Sequence, residues 1–258
     1  MADNGGGIRV LHVDDDPAFA DTVAAFLQRE NDRVTVETAT NAESGLDRLD
    51  AADVDCVVSD YEMPGTDGLE FLEAVRERYP ELPFVLFTGK GSESIASEAI
   101  SAGGTDYLQK AGGTSQFTVL ANRVENSVAG YRARQRLETE RDQYRQLFEA
   151  APVMYVVTTE EAGDPVITEC NRQFADRLGY DRETVVGRPL ANFYTEASER
   201  RLTEEGGYDR ALAGEFVTEE RSFETADGET VETLLRAVPR RDDTGTIVGT
   251  LTLYVDVT

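Results

Sequence analysis

Tryptophan is absent from the 258 residues, histidine occurs once, and cysteine and lysine occur twice each. No apolar run approaches the ~20 residues needed to span a bilayer. The first residues, Met1 to Gly7, are polar and glycine-rich, unlike a signal peptide. Cys56 and Cys170 supply neither a disulfide framework nor a zinc-ligand spacing. Both lie in apolar strand-like runs and read as buried thiols. A reduced, cytoplasmic protein without a membrane anchor is expected. The single histidine, His12, sits inside an apolar run and reads as a packed residue.

Lys90 and Lys110 are the only lysines among 25 basic residues, and 50 acidic residues bring the formal charge to −25. High acidity with arginine in place of lysine matches adaptation to a salt-rich cytoplasm, where concentrated salt screens self-repulsion. The same charge disfavours electrostatic docking on nucleic acid, so direct DNA binding is not expected.

Residues 8–116 alternate between strand-like runs (8–13, 33–38, 54–59, 83–88, 105–108) and helix-like runs (17–30, 41–50, 66–78, 92–102). Pro17 suits the first turn of a helix, and Ala20, Val23, Ala24, Phe26 and Leu27 give that helix an apolar face. The third and fourth strands are nearly all apolar, as expected when helices cover both faces of a parallel sheet. Five such units imply a doubly wound α/β fold. From 117 to 149 the apolar residues keep helical spacing and predict one long helix. Arg134, Glu138 and Arg141 fall where a coiled-coil seam wants apolar groups, so a two-stranded coil and a solvated spacer both remain open. Residues 150–258 change character. Strands at 153–159, 166–170, 215–225, 229–239 and 246–256 enclose short helices within 171–212, and Asp227-Gly228 is a hairpin turn signal. This is an α+β domain with an antiparallel sheet. The expected organisation is a flexible segment 1–7, a first domain 8–116, a helix 117–149 and a second domain 150–258.

In the first domain the polar residues at strand ends are informative. Asp14 and Asp15 end the first strand, Asp60 the third and Thr88 the fourth; Lys110 follows the fifth. A parallel sheet gathers these positions at its carboxyl edge, where open α/β folds build their sites. Carboxylates, a hydroxyl and an ammonium there suit a divalent metal and a phosphoryl group. Lys110 survives in an arginine-rich background, which argues that a compact point charge is required. Asp16 reads as the cap of the helix beginning at Pro17.

The stretches Val13-Asp14-Asp15-Asp16-Pro17, Ser59-Asp60-Tyr61-Glu62-Met63-Pro64-Gly65, Phe87-Thr88-Gly89 and Asp106-Tyr107-Leu108-Gln109-Lys110 resemble the receiver domain of two-component response regulators. The resemblance covers residues 8 to about 125. It implies a flavodoxin-like fold and phosphorylation of Asp60 by a histidine kinase or phosphotransfer protein. It also implies Mg²⁺ held by Asp14, Asp15, Asp60 and the backbone carbonyl of Glu62. Thr88 matches the switch hydroxyl, Lys110 the lysine of the site and Tyr107 the switch aromatic. A phosphoacceptor rather than an enzyme is implied, with at most slow self-dephosphorylation. Three neighbouring carboxylates resist joint ionisation, and a divalent cation relieves that repulsion. Asp60 can then attack phosphorus as a carboxylate nucleophile, and the product adds about −1.5 to −2 charges. Glu62 and Lys90 flank the mouth and could pair. Ala111-Gly112-Gly113 follows Lys110 where the family often has proline, a departure at the signalling surface near the fifth strand.

Residues 144–258 resemble a PAS domain through Gln146-Leu147-Phe148-Glu149-Ala150-Ala151-Pro152, Cys170-Asn171-Arg172-Gln173-Phe174, Leu178-Gly179-Tyr180-Asp181, Val186-Gly187-Arg188-Pro189 and Asp256-Val257-Thr258. Such domains cup small ligands or mediate dimerisation. No histidine is available here for haem, no cysteine follows Gly187-Arg188-Pro189-Leu190 for flavin photochemistry, and no tryptophan can stack on flavin. The ligand is unknown; an empty cavity, a small organic ligand and a homodimer through helix and PAS domain stay open. Taken with the composition, the resemblance points to a receiver–PAS response regulator of a halophilic archaeon. The alternative is the N-terminal portion of a longer histidine kinase. A phosphatase built on Asp14-x-Asp16 would leave Asp60 unexplained, and a receiver reduced to a scaffold would leave the whole site unexplained.

Overall fold

The computed structural model describes residues 6–89, 93–111, 113–214 and 217–258. Lys90, Gly112, residues 1–5 and the start of the strand expected from 215 lie outside the described residues. The chain divides into two compact units, Met1–Glu138 and Thr139–Thr258.

The first unit runs β1 (Ile8–Val13), α1 (Pro17–Glu30), β2 (Val34–Ala39), α2 (Ala42–Ala51), β3 (Cys56–Ser59), α3 (Gly68–Arg78), β4 (Phe84–Thr88), α4 (Glu93–Ser101), β5 (Asp106–Gln109) and the start of α5 (Ser115–Ala150). The strands are parallel and ordered β2-β1-β3-β4-β5, the flavodoxin-like order. Alternation along each strand divides its side chains between two cores. Leu11, Val13, Val57, Phe84 and Leu86 pack with α2, α3 and α4. Val10, Cys56, Val58, Val85 and Phe87 pack with α1 and with Phe117, Leu120, Val124 and Val128 of α5. All four residues of β3 and all five of β4 are buried: the apolar runs 56–58 and 84–87 and the closing Ser59 and Thr88.

Asp16 caps α1 by accepting from the Ala18 and Phe19 amides at 3.0 and 3.1 Å. Asp67 and Glu70 form a capping box at the start of α3. At Gly68 a Cβ would lie 2.3 Å from the Asp60 carbonyl oxygen, so only glycine lets α3 approach the end of β3 this closely.

The second unit comprises the end of α5, β6 (Met154–Glu161), β7 (Asp164–Cys170), α6 (Arg172–Leu178), α7 (Arg182–Val185), a 3₁₀ turn (Leu190–Phe193), α8 (Glu196–Thr203), α9 (Gly207–Leu212), β8 (Val217–Glu224), β9 (Thr230–Arg241) and β10 (Ile247–Asp256). Its antiparallel sheet has the order β7-β6-β10-β9-β8. An aromatic core including Phe174, Phe193, Phe223 and Tyr254 fills one face. Asp227-Gly228 lies at a turn as expected, but the loop between β8 and β9 has five residues, closed by Thr225 N–H donating to the Glu229 carbonyl at 2.8 Å. Within α5, Leu137, Tyr144 and Leu147 are exposed while Phe148 is buried.

Candidate functional site

Three ladders continue one residue past their strands at the same sheet edge. The Asp14 amide donates to Ala39 O at 3.0 Å, the Asp60 amide to Val13 O at 2.8 Å and the Lys110 amide to Thr88 O at 2.7 Å. β1 pairs with β2 on one side and β3 on the other, so the chain reverses its winding where Asp14 and Asp60 emerge. Carboxylate oxygens of Asp14, Asp15 and Asp60 lie within 4.8 Å of one another. Asp14 and Asp60 are buried and Asp15 is exposed. The Lys110 Nζ reaches Asp14 Oδ2 at 2.8 Å and Asp60 Oδ2 at 3.2 Å. The second oxygens are fixed by backbone: Asp16 N–H donates to Asp14 Oδ1 at 2.9 Å, and Tyr61 N–H to Asp60 Oδ1 at 2.8 Å.

Thr88 ends β4, fully buried. Tyr107 lies in β5, half-buried against the core that includes Leu86 and Ile95. Glu62 is exposed in the segment after Asp60, and its proposed partner Lys90 is outside the described residues. The structure thus brings Asp14, Asp15, Asp60 and Lys110 together and sets Thr88, Glu62 and Tyr107 on the elements around them.

Two aromatic rings escaped the sequence reading. The Lys110 ammonium lies 4.4 Å from the Phe19 centroid and 5.8 Å from that of Phe87. Each contact is worth up to about 2 kcal/mol when desolvated. Phe19 follows Asp15 by four residues on the buried side of α1, a spacing that could have signalled it. His12 is buried beneath this cluster, its Nε2 3.9 Å from Asp14 Oδ2. Burial, and then the Lys110 charge, lower its pKa from 6.5 to about 4. The two thiols are buried; desolvation pushes Cys170 up to about 11 and Cys56 higher still.

Comparison with known proteins matches the response regulator receiver domain over residues 10–122 and the PAS fold over residues 142–253. The chain is a receiver domain followed by a PAS domain. A bacterioopsin transcriptional activator of Halobacterium salinarum is 32% identical over 191 residues, covering 70% of this chain and 28% of that protein. The aligned length exceeds either domain alone, and the source agrees with the halophilic composition. The transcriptional regulatory protein FixJ of Bradyrhizobium diazoefficiens is 36% identical over 98 residues, covering 38% of this chain and 47% of that protein. Among solved structures, the PAS domain of an HTR-like protein from Haloarcula marismortui is 25% identical, with a TM-score of 0.42 and coverage of 49% of this chain and 98% of that one. The chain spans less than half the length of these curated relatives. Receiver domains are signalling modules rather than catalysts. No helix among the described residues is long and apolar enough to cross a membrane.

Proposed function

We propose that Asp60 accepts a phosphoryl group from a histidine kinase or phosphotransfer protein, and that the modified receiver signals through α5 and the PAS domain. The observation that carries this reading is the Lys110 ammonium held between Asp14 and Asp60. With Oδ1 of Asp60 bound to the Tyr61 amide, Oδ2 is the oxygen placed to attack phosphorus. The new P–O bond forms as the P–N bond to the donor imidazole breaks, and the released imidazole takes up a proton. Lys110, already beside Oδ2, neutralises charge on the equatorial phosphoryl oxygens.

Three carboxylates whose oxygens converge within 4.8 Å form a hard-oxygen donor set that fits Mg²⁺. Asp14, Asp15 and Asp60 would hold it with the Glu62 carbonyl. When bound, the ion supplies positive charge to the carboxylates and the phosphoryl oxygens. The Thr88 hydroxyl then bonds a phosphoryl oxygen and Tyr107 moves into the space it leaves, converting a local bond into a changed surface.

Two relatives are named as transcriptional proteins, which supports an output on gene expression. The −25 charge favours protein contacts over direct DNA docking, including homodimerisation through α5 and the PAS domain. The test is intact mass after incubation with Mg²⁺ and acetyl phosphate in high salt, beside Asp60→Asn. A labile phosphoryl adduct in the wild type alone supports the reading. Absence of an adduct in folded, Mg²⁺-binding protein refutes it.

A further inference from the structure

The inner face of a PAS sheet packs against helices and would be expected to be apolar. Here β8 points Glu219, Arg221 and Phe223 inward by strict alternation, and Arg221 is only 3% exposed. Burying a guanidinium is costly unless its charge and donors are matched. Nη1 donates to the Glu220 carbonyl at 3.0 Å, and Nη2 meets the Glu219 carboxylate. Among the described residues Nε is buried without a hydrogen-bond partner. Glu219 is not Arg221's alone, because Arg210 pairs with the same carboxylate. Two guanidinium groups therefore share one negative charge, in a chain whose net charge is −25.

Arg221 lines a cavity of about 20 Å³ between the sheet and α8 and α9. On the same face of the sheet, two strands away, β10 carries hydroxyls. Tyr194 and Tyr254 share a hydrogen bond at 2.5 Å, and Tyr254 also bonds Thr252, so the phenols end a chain of hydroxyls in which each can donate only once. Thr250 and Thr252 complete this polar strip. Desolvation holds both phenols well above the ordinary tyrosine range, so they remain donors at any working pH. The volume admits about one or two water-sized bodies and no organic cofactor. Arg221, whose Nε–H is unpartnered and whose carboxylate is shared with Arg210, and this chain of hydroxyls line the same small space.

We propose that this cavity is a binding site for a small monovalent anion, no larger than a halide or formate. In a salt-rich cytoplasm a weak site of this kind is filled in proportion to salt, so the PAS domain would read anion concentration. The inference stands on the cavity alone and is independent of phosphorylation at Asp60.

The test uses the full chain at constant ionic strength, with potassium gluconate replaced in turn by the potassium salt of chloride, bromide, formate or sulfate. Near-ultraviolet dichroism, which is tyrosine-dominated in a protein without tryptophan, follows the cavity. The unfolding midpoint of the PAS domain follows stability. The expected result is a saturable signal and a rise of several degrees with halide or formate and none with sulfate. The arm saturating at lower concentration identifies the ligand. Arg221→Gln should weaken the apparent affinity at least tenfold. Tyr254→Phe, which keeps the ring, should weaken it less and decides the matter if Arg221→Gln does not fold. Crystals grown in bromide should show an anomalous peak beside Arg221 Nε. Equal anion dependence in wild type and both variants, or a bromide crystal with only water in the cavity, overturns the proposal.

Discussion

Removing the charge of Asp60 should stabilise the receiver in the absence of divalent metal. In Asp60→Asn, the Lys110 attraction at 3.2 Å is lost together with repulsion from Asp14 and Asp15, whose oxygens lie within 4.8 Å. With an effective dielectric constant of about 20, the attraction is about 5 kcal/mol and each repulsion about 3.5 kcal/mol. Asp15 is exposed, which reduces its share. The net gain is about 1–2 kcal/mol, to which relief of carboxylate desolvation adds. The asparagine Oδ1 can still accept from the Tyr61 amide, and Lys110 keeps Asp14. For a domain of this size each kcal/mol raises the melting temperature by about 4 °C. The assay is thermal unfolding of the receiver in chelator, at the lowest salt that keeps the protein folded, and again with Mg²⁺. Without metal the variant should melt higher; with Mg²⁺ the wild type should gain more, because metal binding adds to its stability by mass action. The advantage should shrink near 1 M salt, where the Debye length is about 3 Å. A variant that melts lower in chelator, or gains as much from Mg²⁺ as the wild type, refutes the reasoning.

Lys110→Arg should reduce the phosphoryl adduct at least about tenfold, because a planar fork cannot occupy the compact space between two carboxylates and the Phe19 ring; adduct formation followed by intact mass checks it. Asn171 is fully buried and uses all its capacity, accepting from the Tyr155 and Phe174 amides and donating to the Phe148 and Val153 carbonyls. Asn171→Ala should cost the PAS domain about 2–4 kcal/mol in urea unfolding. Asn171→Asp should cost as much, because its carboxylate would face two carbonyl oxygens. His12 is held neutral with a folded pKa of about 4 against 6.5. The unfolded chain therefore binds the extra proton first as pH falls. The stability tied to His12 is complete above about pH 6.5 and drains away towards pH 4, by up to about 3 kcal/mol. His12→Leu should flatten that part of the stability–pH curve; an unchanged slope would remove His12 as its source.

Periodicity and strand-end chemistry made much of this protein legible before any coordinates. Unbroken apolar runs at 56–58 and 84–87 announce doubly covered strands, because a parallel sheet offers neither face to water. A carboxylate, hydroxyl or lysine just past such a run has one place to go, the carboxyl edge of the sheet, so Asp14, Asp60, Thr88 and Lys110 could be grouped across nearly a hundred residues. What the one-dimensional pattern could not settle depends on distances between elements distant in sequence. The Phe19 and Phe87 rings meet Lys110 only because α1 packs over β1 and β4. Arg221 looks like any other charge in an alternating strand until β8 takes the edge beside β9 and turns that position inward. Its shared carboxylate and the tyrosine pair come from separate parts of the second unit, and their proximity is a product of packing. Local sequence thus determined which elements form and which edge carries the acidic chemistry. Tertiary structure decided which charges lose water and which partners remain to neutralise them, because desolvation depends on the whole surrounding shell.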